Sequence, residues 1–482
     1  MADREWRGQW WLPDKANDVV SGVLIEDEDG EVALKLIGGF SNVVLTPVRK
    51  TGSAIAFEPE FVDQFPIILG NAAREPFTLL QCNPLHSGGG EQDIRVLRAL
   101  RGIHRNEPDE NVFDSMVLKI EYLLGWMRAT AIKRTIELGN GNWTGKQTAA
   151  TAPADDLTVS HEDRDYILSV GFNQFRVEDH PRANERSLAN CEWAELTVKS
   201  PQPTKFREFD RIAKAVMDLM TLVAHKPAGV IEETLWFTPS YTSPSLERRM
   251  SREVQVMGRQ IHQPKPGPRE TANAEYLFTL DDIAFADVLP RWLDLHERTW
   301  LACSTMFGLR YIPQGYVTAR LLAVATAAEA IHRELCPEAT RLPAKEFEAL
   351  RARVMAAFKG NDPEAKATRM FLNDVLYNEM RFKDRLLALA AMPDQEAVGT
   401  LINDVPKWAK YIKEQRNGMA HGDRERIGSD DAGMAFDALE VTFALLGLVL
   451  LNKLGLPHEV QRRAASSQYL HLIVERFNKA LA

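Results

Sequence analysis

The chain has 482 residues, 45% hydrophobic and 26% charged, with 58 Lys and Arg against 67 Asp and Glu for a formal net charge of −9. At roughly 100–200 residues per domain this length suggests about two to four domains, and the apolar fraction excludes a disordered or fibrous chain. The acidic total argues against wholesale coating of nucleic acid, but it is unevenly spread. Arg291 to Ala482 holds 26 Lys and Arg against 24 Asp and Glu, a net of +2, which leaves 32 against 43, a net of −11, in the first 290 residues.

The N-terminal part reads as strands first. Ser21 to Ile25 precedes Asp27-Glu28-Asp29-Gly30, after which Val32, Leu34 and Leu36 alternate with Ala33, Lys35 and Ile37. A D-G turn between β-prone runs predicts a hairpin. Further strands are expected at Phe77–Gln81, Asp114–Tyr122, Asp165–Val170, Phe172–Val177 and Glu195–Lys199. Ser87-Gly88-Gly89-Gly90 and the stretch from Gly139 to Asp156 read as turn-rich. Phe206, Phe209, Ile212, Val216, Leu219 and Val223 recur at helical spacing and predict one helix in this region.

His262-Gln263-Pro264-Lys265-Pro266-Gly267-Pro268 is the candidate linker, because its prolines can continue neither a helix nor a central strand. After a short strand-like piece, Tyr276 to Leu280, the character becomes helical. Val317, Leu321, Val324, Ala328, Ile331 and Leu335 form one apolar stripe, and Phe436, Leu439, Phe443, Leu446 and Leu450 form another. Between them Lys345–Lys359, Ala365–Ala391 and Glu396–Arg416 are rich in helix formers. The expected fold class is α+β and multidomain. A mixed, mainly β domain over residues 1–285, with room for two subdomains, precedes an all-helical bundle over 286–482.

Cys82, Cys191, Cys303 and Cys336 show no C-x-x-C spacing, so neither a disulfide framework nor a zinc site is expected. The Met-Ala-Asp-Arg-Glu-Trp start lacks the layout of a signal peptide, and the run from Val441 to Leu451 falls short of the roughly 20 apolar residues a bilayer requires. A cytoplasmic protein with no membrane partner is expected. Ser87–Gly90 lacks the Lys-Ser/Thr of a phosphate-binding loop, and His180 and His225 read as surface or capping residues.

One segment carries candidate chemistry: Lys410-Tyr411-Ile412-Lys413-Glu414-Gln415-Arg416-Asn417-Gly418-Met419-Ala420-His421-Gly422-Asp423. Arg and His five apart is a weak signal, since with 11 histidines chance supplies on the order of one such pair. Arg291 and His296 are such a pair, in an ordinary amphipathic setting. Positions 416 and 421 of an ideal helix diverge by about 140°. Gly418 between them is expected to let the backbone depart from helical geometry and bring both side chains toward one cleft.

Arg416-Asn417-x-x-x-His421 in a C-terminal helical bundle resembles the HEPN superfamily of ribonucleases and RNA-binding proteins, most closely its ApeA-like branch, associated with bacterial defence against phage. Phe382-Lys383-Asp384-Arg385-Leu386 and the helix holding Ala327-Ala328-Glu329-Ala330 resemble recurring elements of that branch. Its N-terminal domain is resembled by Trp6-Arg7-Gly8-Gln9-Trp10-Trp11-Leu12-Pro13 leading into Ser21-Gly22, by Gly70 with Leu79, and by Glu121-Tyr122-Leu123-Leu124-Gly125-Trp126.

The resemblance implies cleavage of RNA without metal or cofactor, with transfer RNA as one candidate substrate, by an abortive-infection toxin. A ribose 2′-OH would attack the adjacent phosphate. His421 suits acid–base work near neutrality, Arg416 suits developing phosphoryl charge, and Asn417 would orient the phosphate or the histidine. Lys410, Lys413, Arg424 and Arg426 would form a positive rim for the RNA backbone. A homodimer or higher oligomer through the helical domain is implied, with both motifs lining one cleft, and a phage protein is a candidate trigger for the N-terminal domain. Glu329 admits three readings: an anchor for Arg416, a helper of the active site, or a surface residue flanking the stripe. Trp6, Trp10 and Trp11 admit base stacking or hydrophobic anchoring of the first strand. The alternative from a different class is a non-catalytic module binding RNA, nucleotide or protein. A carbohydrate- or nucleotide-binding β domain is weaker still, for want of paired carboxylates.

Overall fold

Alternation of apolar and polar residues builds the first unit. The computed structural model describes the chain except at residues 1–2, 42, 52–53, 62, 89, 181–184, 240–250, 265–275, 313–314, 359, 361 and 422–431; at 43–51, 54–61, 87–88, 142–143, 145, 178–180, 185 and 420–421 it describes the backbone alone. The chain forms two compact units, one of Met1–Ala274 with Thr279–Pro290 and one of Glu275–Phe278 with Arg291–Ala482.

In the first unit six antiparallel strands close into a barrel. Arg4–Trp11 pairs with Val20–Glu26, which pairs with Val32–Ile37, then Glu91–Arg101, Glu75–Gly88 and Phe65–Ala72, which returns to Arg4–Trp11. Val32, Leu34 and Leu36 point inward while Lys35 and Ile37 are exposed, the period of two expected of a strand with one buried face. The expected D-G hairpin forms: Gly30 lies at φ 76°, and Asp27 Oδ1 accepts from the backbone N–H of Asp29 at 3.0 Å and of Glu31 at 2.8 Å. Trp6, Trp10, Phe65, Phe77 and Leu79 fill the interior, so the barrel is a packed core. The face of Trp10 lies against the Gly70 backbone, where an added Cβ would come 2.1 Å from Trp10 Cε3. Trp6 and Trp10 are therefore hydrophobic anchors, and the half-buried Trp11 stacks edge-on against His104 with ring centroids 5.3 Å apart.

Strand Glu91–Arg101 outruns the barrel. Its first part pairs with Val32–Ile37, and Ala99 to Arg101 pair with Arg252–Met257. From there the sheet continues through Val230–Phe237, Phe113–Ile120, Glu192–Thr204, Arg164–Phe172 and Leu157–His161. Among the described residues, two helices lie wholly within this unit. Helix α1 (Leu123–Met127) buries Trp126, and α2 (Phe206–Ala224) packs on the extension with all six residues of its expected stripe buried. His225 closes α2 in the left-handed conformation, its N–H donating to the Leu222 carbonyl, which is the capping role expected of it.

Three expectations for this half are corrected. The stretch from Gly139 to Asp156 is not all turn: Asn142–Thr151 is a strand paired with Ile132–Gly139. Asn140 at φ 50° and Gly141 at φ 81° supply the left-handed pair that a tight hairpin requires. Phe172–Val177 is not one strand, because one strand ends at Phe172 and another starts at Arg176. Tyr276–Leu280 forms no strand although Leu277 and Phe278 are buried, so burial rather than pairing explains its apolar character. Ser87 and Gly88 end one barrel strand and Gly90 precedes the next; Gly89 and, of the linker, residues 265–268 lie outside the described residues.

Helix α3 (Phe285–Arg298) contains Pro290, where the division between the units falls. The second unit continues with α4 (Trp300–Tyr311), α5 (Val317–Leu335), α6 (Ala344–Ala356), α7 (Pro363–Val375), α8 (Phe382–Ala390), α9 (Gln395–Leu401), α10 (Val405–His421), α11 (Ala432–Leu454), α12 (His458–Ala465) and α13 (Gln468–Leu481). Helix α11 is central, contacting α5, α8, α9, α12 and α13. It is long and apolar enough to cross a membrane, and most of it is buried inside this unit. Two expected helices divide. Ala365–Ala391 breaks after α7, where the Asn378 side chain accepts from Leu342 N–H at 2.9 Å and donates to the Leu342 carbonyl at 2.7 Å. Glu396–Arg416 breaks where Asp404 Oδ1 accepts from Lys407 N–H at 2.9 Å and caps α10. Helices α6 and α7 bury no residue, and Met370 and Phe371 are exposed at 70% and 64%.

Candidate functional site

Helix α10 is fixed by an apolar face of Trp408, Ala409 and Ile412, all fully buried. Trp408 Nε1 donates to Thr442 Oγ1 on α11 at 3.0 Å, and Tyr411 meets Phe477 of α13 edge-on. Four residues beyond Ile412 the same face reaches Arg416, where α10 packs on α5 and α8. Arg416 thus takes the last place of an inward stripe, its side chain about one-third exposed.

Three groups meet the guanidinium. Arg416 Nη2 lies 3.3 Å from Glu329 Oε2 on α5, Nη1 donates to Asn417 Oδ1 at 3.4 Å, and the guanidinium carbon stands 5.4 Å over the Phe382 ring of α8. A carboxylate at the edge and an aromatic face beneath fix a planar cation in orientation while leaving part of its donor set open. Of the three readings of Glu329, the anchor for Arg416 is the one with a bond behind it.

The expected break at Gly418 is absent. Helix α10 runs without interruption from Val405 to His421, and Gly418 is buried within it. A single interior glycine costs a helix only about 1 kcal/mol relative to alanine, which the packing of Trp408 and Ile412 offsets. Positions 416 and 421 therefore lie about 140° apart around one axis, and a single copy of α10 does not aim both at one point. Position 421 falls instead on the face of Lys410 and Asn417, eleven and four residues before it. Lys410 and Lys413 are exposed, as a positive rim requires; Arg424 and Arg426 lie outside the described residues. The pair Arg291 and His296 sits in α3 with structural partners: Arg291 Nη1 donates to the Leu454 carbonyl at 3.0 Å, and the His296 ring packs on Trp292.

Behind Arg416 the charges alternate. Glu329 Oε1 accepts from Arg333 Nη2 at 3.1 Å, and Arg333 Nη2 also lies 3.2 Å from Glu379 Oε2. Glu379 is 3.8 Å from Arg385 Nη2, and Arg385 Nη1 meets His332 Nδ1 at 3.1 Å. Arginine only donates, so His332 Nδ1 accepts and its proton sits on Nε2, which has no hydrogen-bond partner among the described residues. Burial, then Arg385, then Arg333 push the His332 pKa below its ordinary value and keep the ring neutral. Three arginines against two glutamates leave the chain of charges with a surplus cation, and Arg416 stands at its end.

Of these partners, sequence reasoning singled out only Glu329. Arg333 was legible as the i+4 partner of Glu329 on one helix, and Phe382 and Arg385 lay in a recognised element with no role attached. Glu379 carried no signal, because its place depends on the irregular segment between α7 and α8. His332 hid beside the apolar stripe as its one imidazole.

Residues 5–292 match the family model described as ApeA N-terminal domain 1, and residues 322–460 match Apea-like HEPN. No curated protein and no solved structure matches the chain. The second match spans Glu329, Phe382, Arg416 and His421, so the site described above lies inside it. The HEPN family is nuclease-like in general, and the Trp10–Gly70 contact falls within the first match. With one model covering more than half its length and the other the bundle behind it, the chain belongs to the ApeA-like HEPN family.

Proposed function

We propose that this protein is a metal-independent endoribonuclease acting as an anti-phage effector, with its chemistry in the helical unit. The observation that carries the reading is the held but partly open guanidinium of Arg416, on the same helix α10 as Lys410, Asn417 and His421. A ribose 2′-OH attacks the adjacent phosphorus, its proton passing to an imidazole. The P–O5′ bond breaks, and the leaving 5′-oxygen takes a proton back, giving a 2′,3′-cyclic phosphate and a 5′-OH. His421 is assigned the proton transfers, Arg416 the charge on the phosphoryl oxygens and Asn417 the orientation of the phosphate.

The uninterrupted helix makes a second copy part of this reading. Positions 140° apart on one α10 can converge on one phosphate when Arg416 comes from one protomer and His421 from its partner. Helices α6 and α7 support self-association, since their 26 residues bury nothing and expose Met370 and Phe371. The acidic N-terminal unit is assigned the sensing role, with a phage protein as its trigger, and the RNA is bound in the cytoplasm, transfer RNA being one candidate.

The continuity of α10 and the engagement of Arg416 by Glu329 also favour a second reading, a non-catalytic cleft that binds RNA. Incubating full-length protein with labelled RNA in excess chelator separates the two. Cleavage by the wild type that Arg416→Ala and His421→Ala each abolish, with oligomer size unchanged, supports the nuclease. RNA binding without cleavage supports the binding module.

A further inference from the structure

The carboxylate beside Arg416 is shared. Glu329 offers one oxygen to Arg416 and the other to Arg333, and Arg333 is itself divided between Glu329 and Glu379. Glu379 is in turn within reach of Arg385, whose guanidinium is nearly fully buried and bonded to His332 and to the Met380 carbonyl. The series runs from a buried anchor to a partly exposed end, where Arg416 meets one carboxylate while Arg333 meets two. Glu329 and Arg333 are one turn apart on α5, and Glu379, Phe382 and Arg385 come from the segment entering α8 and from α8 itself.

We propose that Arg333, held by Glu379, which Arg385 also engages, is a positioning residue that sets how much of the Arg416 guanidinium is available to an RNA phosphate. This rests on the reading of Arg416 as the phosphate-contacting group. While Arg333 holds Oε1, Glu329 spends a single oxygen on Arg416, enough to orient it over Phe382 and too little to neutralise it. Without Arg333 both oxygens turn to Arg416, a two-bond carboxylate–guanidinium pair forms, and the phosphate meets a competitor in place. Arg333 therefore acts on RNA through Glu329, with no contact of its own.

The test is a double-mutant cycle on the full-length protein, reading RNA dissociation constant and cleavage rate at about 0.3 M salt, where through-solvent effects of a distant charge are screened. Arg333 is half-exposed, so Arg333→Met leaves folding intact. Arg333→Met is expected to weaken RNA binding about three- to fivefold, the size of one partly exposed charge interaction, and Arg333→Lys to retain part of the loss. In a Glu329→Gln background, where no competing carboxylate remains, the same substitution is expected to be nearly silent. A full-sized effect of Arg333→Met in that background would show that Arg333 touches RNA directly or serves the fold alone, and would overturn the inference. Arg416→Ala is run in parallel: if it leaves binding and cleavage unchanged, the reading of Arg416 itself has failed, a result separate from additivity in the cycle.

Discussion

Glu329 Oε2 and Arg416 Nη2 lie 3.3 Å apart and join α5 to the C-terminal part of α10. The pair places a carboxylate against the cation assigned to the phosphate, so its removal has two opposed consequences. In Glu329→Gln one negative charge leaves the site and RNA is held more tightly, yet the guanidinium loses its orientation. KM is expected to fall severalfold and kcat to fall about tenfold, as for a displaced catalytic donor. Steady-state kinetics check this; general damage to the bundle would raise KM instead.

His332 makes the helical unit sensitive to acid. Its folded pKa lies below the unfolded value of about 6.5, so both states are neutral above pH 7 and the contribution to stability is complete there. As pH falls below about 6.5 the unfolded chain takes up a proton that the folded chain refuses, because the ring is buried and stands beside Arg385 and Arg333, and stability is lost. Thermal melts between pH 8 and 5 are expected to show this decline in the wild type and a shallower one in His332→Gln, whose amide oxygen can still accept from Arg385.

Gly70 has no room for a side chain, because Trp10 fills the space where a Cβ would stand. Gly70→Ala is expected to destabilise the barrel by about 3 kcal/mol or more, at the upper end of overpacking effects, visible as a lower denaturation midpoint. Cleavage by any surviving folded protein should retain its dependence on Arg416.

Phe371 and Met370 on α7 are among the most exposed large apolar residues of the helical unit. If this face of α7 meets a second copy, Met370→Glu with Phe371→Glu is expected to convert a dimer to a monomer in light scattering while leaving the circular dichroism unchanged. Cleavage should fall with the dimer, since the composite arrangement takes Arg416 and His421 from different chains.

Periodicity made the architecture legible where one face is buried throughout. The stripes of α2, α5 and α11, the Asp27–Gly30 hairpin and the change from strand to helix all follow from local pattern. It was less informative where a distant partner decides: Asn378 bonding Leu342 ends a helix that composition alone would continue, and the barrel closes through the pairing of Phe65–Ala72 with Arg4–Trp11. At the site, Arg416 and Asn417 were legible as a motif, and Glu329 only with three readings open. The continuity of α10 was not, because a glycine permits a break without requiring one, and packing at Trp408 and Ile412 settles it. Glu379 and Arg385 entered only through tertiary contacts that no spacing encodes.

Attack by a 2′-OH at this site leaves its record in the chemistry of the RNA ends. Full-length protein, RNA and excess chelator are incubated, and the new termini identified by mass spectrometry. The account requires 2′,3′-cyclic phosphate and 5′-OH ends from the wild type and none from Arg416→Ala or His421→Ala. Ends bearing 3′-OH and 5′-phosphate, or cyclic phosphate formed equally by both variants, would contradict it.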